Sequence, residues 1–104
     1  MIGIELIAAE RQRQIDVEGW TPEHDDSHSG GEMMSAAQDY IFECKRILRR
    51  HDRSIEEEKT GIPWGWPWDK KWWKPSDDPI RNLVKAGALI AAEIDRLQRA
   101  KESK

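Results

Sequence analysis

The stretch that decides the fold is residues 79–98, PIRNLVKAGALIAAEIDRLQ. Its apolar side chains recur at the spacing of a helix with 3.6 residues per turn, and Pro79 follows two aspartates that can cap the helix start. The positions that predict a core-facing stripe are Ile80, Leu83, Val84, Gly87, Ile90, Ala91, Ile94 and Leu97. The small residues at positions 86–88 predict a place where another helix approaches closely. The charged tail, residues 99–104, is expected to fray.

Two further long helices are predicted upstream. The first extends from about residue 3 to Glu18, before a stop at Gly19. Its helically spaced positions are Ile4, Ile7, Ala8, Arg11 and Ile15. The second begins at about Gly30, behind the capping box Ser29-Gly-Gly-Glu32. Its apolar stripe comprises Met33, Ala37, Tyr40, Ile41, Cys44, Ile47 and Leu48.

Short pieces of helix are expected between these elements. Thr21-Pro22-Glu23 has the pattern of a cap followed by proline at the first helical position, which predicts a single turn. Residues 54–58 can form another short helix with Ser54 as its cap. The fold class is therefore all-α, with three main helices.

A long connection precedes the last helix. Residues 60–76, TGIPWGWPWDKKWWKPS, contain five of the six tryptophans, and their prolines and glycine exclude a helix or a central strand,. We expect the tryptophans to form a small core of their own; the alternative is a stacking surface for a ligand or partner. Lys70, Lys71 and Lys74, interleaved with Trp72 and Trp73, are suited to an anionic aromatic ligand.

The composition limits the class of protein. A chain of 104 residues is the size of one domain, and its 36% of charged residues leaves little apolar surface for a core, which favours a helical homo-oligomer,. One cysteine excludes an internal disulfide, and no apolar run reaches the length of a membrane span,. A cytoplasmic location is expected. A net charge of -3 argues against a nucleic-acid binder,.

Two groups of polar residues are candidate sites. Glu10, Arg11 and Gln14 share one side of the first helix, where they can bind a phosphate or carboxylate or form an internal network. The compact acidic and histidine cluster that follows can hold a divalent ion such as Zn or Mn, or it can serve only to stabilise a helix start. The candidate metal ligands are Asp25, Asp26, His28 and Glu32. The candidate ligand-binding residues are Glu10, Arg11, Gln14, Trp20, Thr21, His24, Trp68, Trp72, Trp73 and Lys85.

Several motifs together resemble a family of short phage and prophage proteins without a settled function. They are residues 10–14 (ERQRQ), 19–26 (GWTPEHDD), 66–69 (WPWD), 72–75 (WWKP) and 83–89 (LVKAGAL). They cover most of the chain. The resemblance implies a viral or mobile-element origin, inside a bacterial host, and no particular activity.

The ERQRQ opening followed by two longer helices also resembles, more distantly, the MazG-like all-α nucleoside triphosphate pyrophosphohydrolases. That resemblance implies Mg held by carboxylates on two neighbouring helices. Here Ala36, Ala37 and Tyr40 occupy much of the inward face of the second helix. Asn82 and Lys85 stand near the place of an acidic pair, so the metal charge would be poorly neutralised.

Three functions follow as hypotheses. The first is a non-catalytic binding protein that sequesters a nucleotide-like ligand or a host protein. The second is a divergent pyrophosphohydrolase using Mg or Mn, with Glu10, Asp25, Asp26, His28 and Glu32 as rearranged ligands or bases. The third is a structural oligomer whose interface is anchored by the tryptophans. The sequence favours the first, and no catalytic residue is assigned.

Overall fold

A computed structural model describes residues 1–49 and 61–102 of the chain. The elements are four α-helices, α1 (Gly3–Asp16), α2 (Pro22–Asp26), α3 (Glu32–Arg49) and α4 (Pro79–Glu102), and one 3-10 turn, Lys70–Trp72. No strand occurs in those two ranges, so the predicted all-α fold is confirmed. None of the described helices is long and apolar enough to span a membrane. The short helix predicted at residues 54–58 lies outside the described residues.

The starts of α2 and α4 follow the capping signals in the sequence. The Asp78 carboxylate accepts a 2.9 Å hydrogen bond from the backbone amide of Ile80, and Pro79 takes the first helical position,. The hydroxyl of Thr21 likewise accepts from the amide of His24 at 3.3 Å. Both predicted caps are therefore confirmed.

The other boundaries shift by two residues. α3 begins at Glu32 rather than at Gly30, because Gly31 has a φ of 86°, outside the helical range,. The Glu32 carboxylate accepts a hydrogen bond from the backbone amide of Gly30. In the predicted capping box this bond would come from Ser29, one residue earlier in the chain. α1 ends at Asp16, and Gly19, with a φ of 77°, turns the chain beyond it as expected.

The prediction of which α4 side chains face the core is wrong for the largest of them. The aliphatic side chains of Ile80, Leu83, Ile90, Ile94 and Leu97 are exposed. The helix instead buries a face of mostly small and polar side chains: Asn82, Val84, Ala86, Ala88, Leu89, Ala92, Glu93 and Arg96. Small side chains let α3 approach closely, and large apolar groups come from α3 and the tryptophans,. The two buried charges are paired, since Arg96 hydrogen-bonds Glu93,.

The face that α1 buries also differs from the predicted apolar stripe. Glu10 and Gln14 are its buried residues, whereas Ile4 is 73% exposed. The close approach expected at the small-residue patch is confirmed, because a Cβ atom on Gly87 would lie 2.6 Å from Cδ1 of Ile7. Gly87 therefore allows α1 to pack directly against α4.

The ends of α4 are held by different partners. Arg99 donates to the Asp26 carboxylate at 2.7 Å and to the Pro22 carbonyl at 3.2 Å, which fixes α2 against the C-terminal part of α4. The expected fraying is wrong for residues 99–102, which are helical, while residues 103–104 are outside the described ranges. Near the start of α4, the ammonium of Lys85 lies over the ring of Tyr40 in α3. α3 and α4 therefore run in opposite directions.

Candidate functional site

The tryptophan-rich connection folds back onto α3. The ring centroid of Trp73 lies 4.8 Å from that of Tyr40, and the centroid of Trp66 lies 5.9 Å from it. The Tyr40 hydroxyl accepts a 3.3 Å hydrogen bond from the backbone amide of Lys74, and burial raises the pKa of Tyr40. Trp66 and Trp73 thus extend the core, as the preferred interpretation of the sequence expected.

Asn82 anchors the end of this connection. Its side chain is completely buried, accepts from the Ser76 amide and donates to the Ser76 carbonyl, with both distances 2.8 Å. These two bonds satisfy the backbone of Ser76 just before α4 starts. The connection is therefore fixed at two points, Tyr40 and Asn82.

Three other tryptophans, Trp20, Trp68 and Trp72, border a cleft between α2 and the connection, which we call the aromatic cleft. It has a volume of about 220 Å³. Its lining residues are Trp20, His24, His28, Trp68, Asp69 and Trp72. Three indoles and two imidazoles thus face one concave space, a composition suited to stacking against a planar ring.

The rings that border the cleft support one another. Trp20 lies 5.7 Å from Trp68 and 6.1 Å from Trp72 between centroids, and His28 lies 5.3 Å from Trp68. Trp20 is parallel to His24 within 4°, at 6.3 Å. The Nε1 atom of Trp68 is buried and has no hydrogen-bond partner among the described residues.

Positive charge lies close to the cleft. The Nζ atoms of Lys71 and Lys74 lie 5.4 and 5.5 Å from the ring centroid of Trp72. Lys74 also reaches the Glu18 carboxylate at 3.4 Å, although its side chain is 54% exposed. Because more than half of its side chain is exposed, Lys74 can also contact an anionic ligand placed beside Trp72.

Beneath the cleft is a second, tighter space that we call the polar pocket, with a volume of about 20 Å³. Trp20 and Trp72 border both spaces. The other lining residues are Glu10, Arg13, Gln14, Glu18, Tyr40, Lys74 and Lys85. The two spaces therefore share a wall formed by Trp20 and Trp72, and together they make up the candidate site, with mostly aromatic side chains around one space and mostly charged or polar ones around the other.

The centre of the polar pocket is the buried carboxylate of Glu10. Burial alone would raise its pKa, but hydrogen bonds from Arg13 and the charge of Arg81 outweigh burial and lower it. Gln14 also donates to Glu10 at 3.0 Å, while its own Oε1 is buried without a partner among the described residues. Burial, together with the charge of Arg81, lowers the pKa of Lys85. The pocket therefore brings several cations close to the buried Glu10 carboxylate, with Glu18 as a second anion.

The candidate metal ligands are not assembled into one site. Asp25 pairs with Arg11 at 2.8 Å, and Asp26 pairs with Arg99. His28 lies 3.5 Å from Glu32. In residues 1–49 and 61–102, no group of three or more His, Cys, Asp or Glu side chains is placed to hold a metal ion.

The structure brings most of the candidate ligand-binding residues together. The aromatic cleft contains Trp20, His24, Trp68 and Trp72, and the polar pocket contains Glu10, Gln14 and Lys85. The other three candidate residues line neither the aromatic cleft nor the polar pocket. Arg11 donates to the Trp20 carbonyl and to Asp25, Thr21 caps α2, and Trp73 packs on the core.

Sequence reasoning missed several residues of the site, among them Arg13, Arg81 and Asp69. Arg13 and Arg81 hold Glu10, and Asp69 lines the cleft. The contact between Arg13 and Glu10 was predictable, because the two residues lie three positions apart on one helix. Arg81 lies 71 residues away in the chain, and no local pattern signals that contact.

No protein-family model matches this chain, and no similar curated protein or solved structure was found.

Proposed function

We propose that this chain is a small binding protein whose aromatic cleft holds a planar, negatively charged aromatic molecule, a nucleotide or a nucleotide-like ligand. The observation that supports it most strongly is the shape and lining of the cleft, where Trp20, Trp68 and Trp72 surround about 220 Å³ of space. A base stacked on tryptophan gains about 1–3 kcal/mol. Lys71 and Lys74 supply charge for a phosphate beside the ring,.

The proposed role is binding rather than cleavage. Asp25 and Asp26, two of the candidate metal ligands, are each engaged by an arginine. Removing a carboxylate from an arginine costs free energy that a metal ion would have to repay. A metal-dependent nucleoside triphosphate pyrophosphohydrolase is therefore the weaker alternative. The phage origin is a proposal that rests on the motifs alone, and sequestration of a host nucleotide is one form of the proposed binding.

A fluorescence titration tests the proposal. Linear and cyclic nucleotides, with the matching uncharged nucleosides, are added to the full chain while tryptophan emission is recorded. We expect saturable quenching by at least one nucleotide. Trp72→Phe should weaken that affinity by about tenfold or more, since it removes part of the stacking wall.

Trp64→Phe is the matched control, because Trp64 is fully exposed and does not line the cleft. It should leave the affinity unchanged. No saturable response across the panel, or equal losses in both variants, would overturn the proposal. Release of phosphate or pyrophosphate from nucleoside triphosphates with Mg or Mn would instead support the hydrolase.

A further inference from the structure

One face of α4 exposes a continuous row of large aliphatic side chains. The row consists of Ile80 (61% exposed), Leu83 (49%), Ile90 (42%), Ile94 (51%) and Leu97 (51%). This row, which we call the α4 stripe, lies on the side of the helix away from the buried face. Monomeric soluble proteins rarely leave contiguous apolar patches of more than a few hundred Å² exposed.

The spacing of the α4 stripe is that of a coiled-coil seam. Its members are separated alternately by three and four residues, once Gly87 is counted between Leu83 and Ile90,. At Gly87 the missing side chain is replaced by Ile7 of α1, which is only half-buried. The α4 stripe therefore extends over about five turns without a polar residue, and α1 contacts it at Gly87 through Ile7,.

The core of the single chain is correspondingly thin. Among the residues that the structure describes, five of the eleven buried hydrophobic ones are alanines, at positions 36, 37, 86, 88 and 92. A domain of this size buries a smaller fraction of its surface than larger domains do. Covering the α4 stripe would add large aliphatic groups to that limited core.

We propose that the α4 stripe binds the same stripe of a second copy of this chain, so that two α4 helices pack side by side. A seam with a regular heptad repeat is complementary to itself, and a twofold axis pairs each patch with its own copy. Complete burial of the five aliphatic side chains in both copies would cover on the order of 1,000 Å², the minimum for a specific interface.

This interface differs from the one expected from the sequence. Trp72 and Trp73 were the expected anchors, yet each is half-buried within its own chain, Trp72 in the aromatic cleft and Trp73 on the core. The aliphatic face predicted as core therefore becomes the contact between copies. The aromatic cleft does not include the α4 stripe, so the two proposals can fail separately.

Native mass spectrometry of the full chain, with sedimentation at rising concentration, tests the proposal. We expect a two-chain mass for the wild type and a one-chain mass for Ile94→Glu, because a charge would be buried in the seam. Phe42→Glu is the matched control, since Phe42 is 62% exposed on α3 and outside the stripe. It should keep the two-chain mass.

Circular dichroism of each variant establishes that it is folded. Ile90→Gln provides a second, milder change if Ile94→Glu loses its helical signal, and it should raise the dissociation constant of the pair. A one-chain mass for the wild type at every concentration would overturn the proposal. So would a folded Ile94→Glu or Ile90→Gln variant that associates as tightly as the wild type.

Discussion

The indole rings of Trp20 and Trp72 lie 6.1 Å apart, inclined at 58°, and both border the aromatic cleft above and the polar pocket below. One ring follows α1 and the other ends the 3-10 turn of the connection, so two distant parts of the chain share one site. Anything that displaces either segment should change both spaces at once.

Asn82→Ala should destabilise the fold and weaken the site. The change leaves the amide and carbonyl of Ser76 without their buried partner, which costs about 2–4 kcal/mol,. Urea unfolding measures the loss, and ligand affinity should fall with it because Ser76 ends the connection that bears Trp72. Gln98→Ala, at an exposed position of the same helix, should change neither; equal stability of the two variants would contradict the role assigned to Asn82.

The Glu10 carboxylate makes stability depend on pH. Because its pKa is lowered in the folded protein, the unfolded chain binds a proton more readily, and this contribution is present above about pH 4.5 and disappears as the pH falls through the folded pKa,. Glu10→Gln should remove that part of the acid dependence and cost about 1–3 kcal/mol at neutral pH.

Thermal unfolding followed from neutral pH to about pH 3 measures this dependence. Glu23→Gln, which changes an exposed carboxylate of α2, is the control and should leave the curve unchanged. A Glu10→Gln curve parallel to that of the wild type over the whole range would show that Glu10 does not supply the dependence.

Gly87→Val should destabilise the chain by about 1–3 kcal/mol, although replacing a helical glycine usually helps. The reason is steric, since the added atoms would meet Ile7. Ile7→Ala in the same chain should recover part of the loss, which a double-mutant cycle measures by urea unfolding. Gly3→Ala has free space around it and is the control. Additive effects of the two changes would contradict the contact.

Lys74→Gln should weaken binding of a phosphorylated ligand by about three- to tenfold and leave an uncharged nucleoside unaffected, since its ammonium lies beside Trp72,. The same titration at rising salt should show a shallower dependence for the variant. Lys45→Gln removes one charge from the exposed side of α3 and serves as the control. A similar loss for nucleoside and nucleotide would assign Lys74 a structural role instead.

The local features of the fold were predictable because each depends on neighbours in the chain. Thr21 and Asp78 as caps, Gly19 as a turn and the close approach at Gly87 all follow from residue type and spacing. The face of α4 was not predictable in this way. Periodicity identifies an apolar stripe, but it does not say whether the stripe meets its own chain or remains outside, as Ile94 does.

The candidate site was predictable in composition but not in arrangement. Unusual residues such as Trp20, His24 and Trp72 are visible as motifs, and the fold brings them to one cleft. The charge network around Glu10 depends on Arg81, which only the packing of α1 on α4 brings near. Long-range ion pairs of this kind leave no periodic signal in a single sequence.

The indole N–H signals in a ¹H–¹⁵N NMR spectrum of the full chain test the central claim most directly. On titration with a nucleotide, we predict that the signals of Trp20, Trp68 and Trp72 shift, because these three rings line the cleft. The signal of exposed Trp64 should stay in place. Unchanged cleft signals with every nucleotide tested, or a shift of Trp64 alone, would contradict a ligand site in the aromatic cleft.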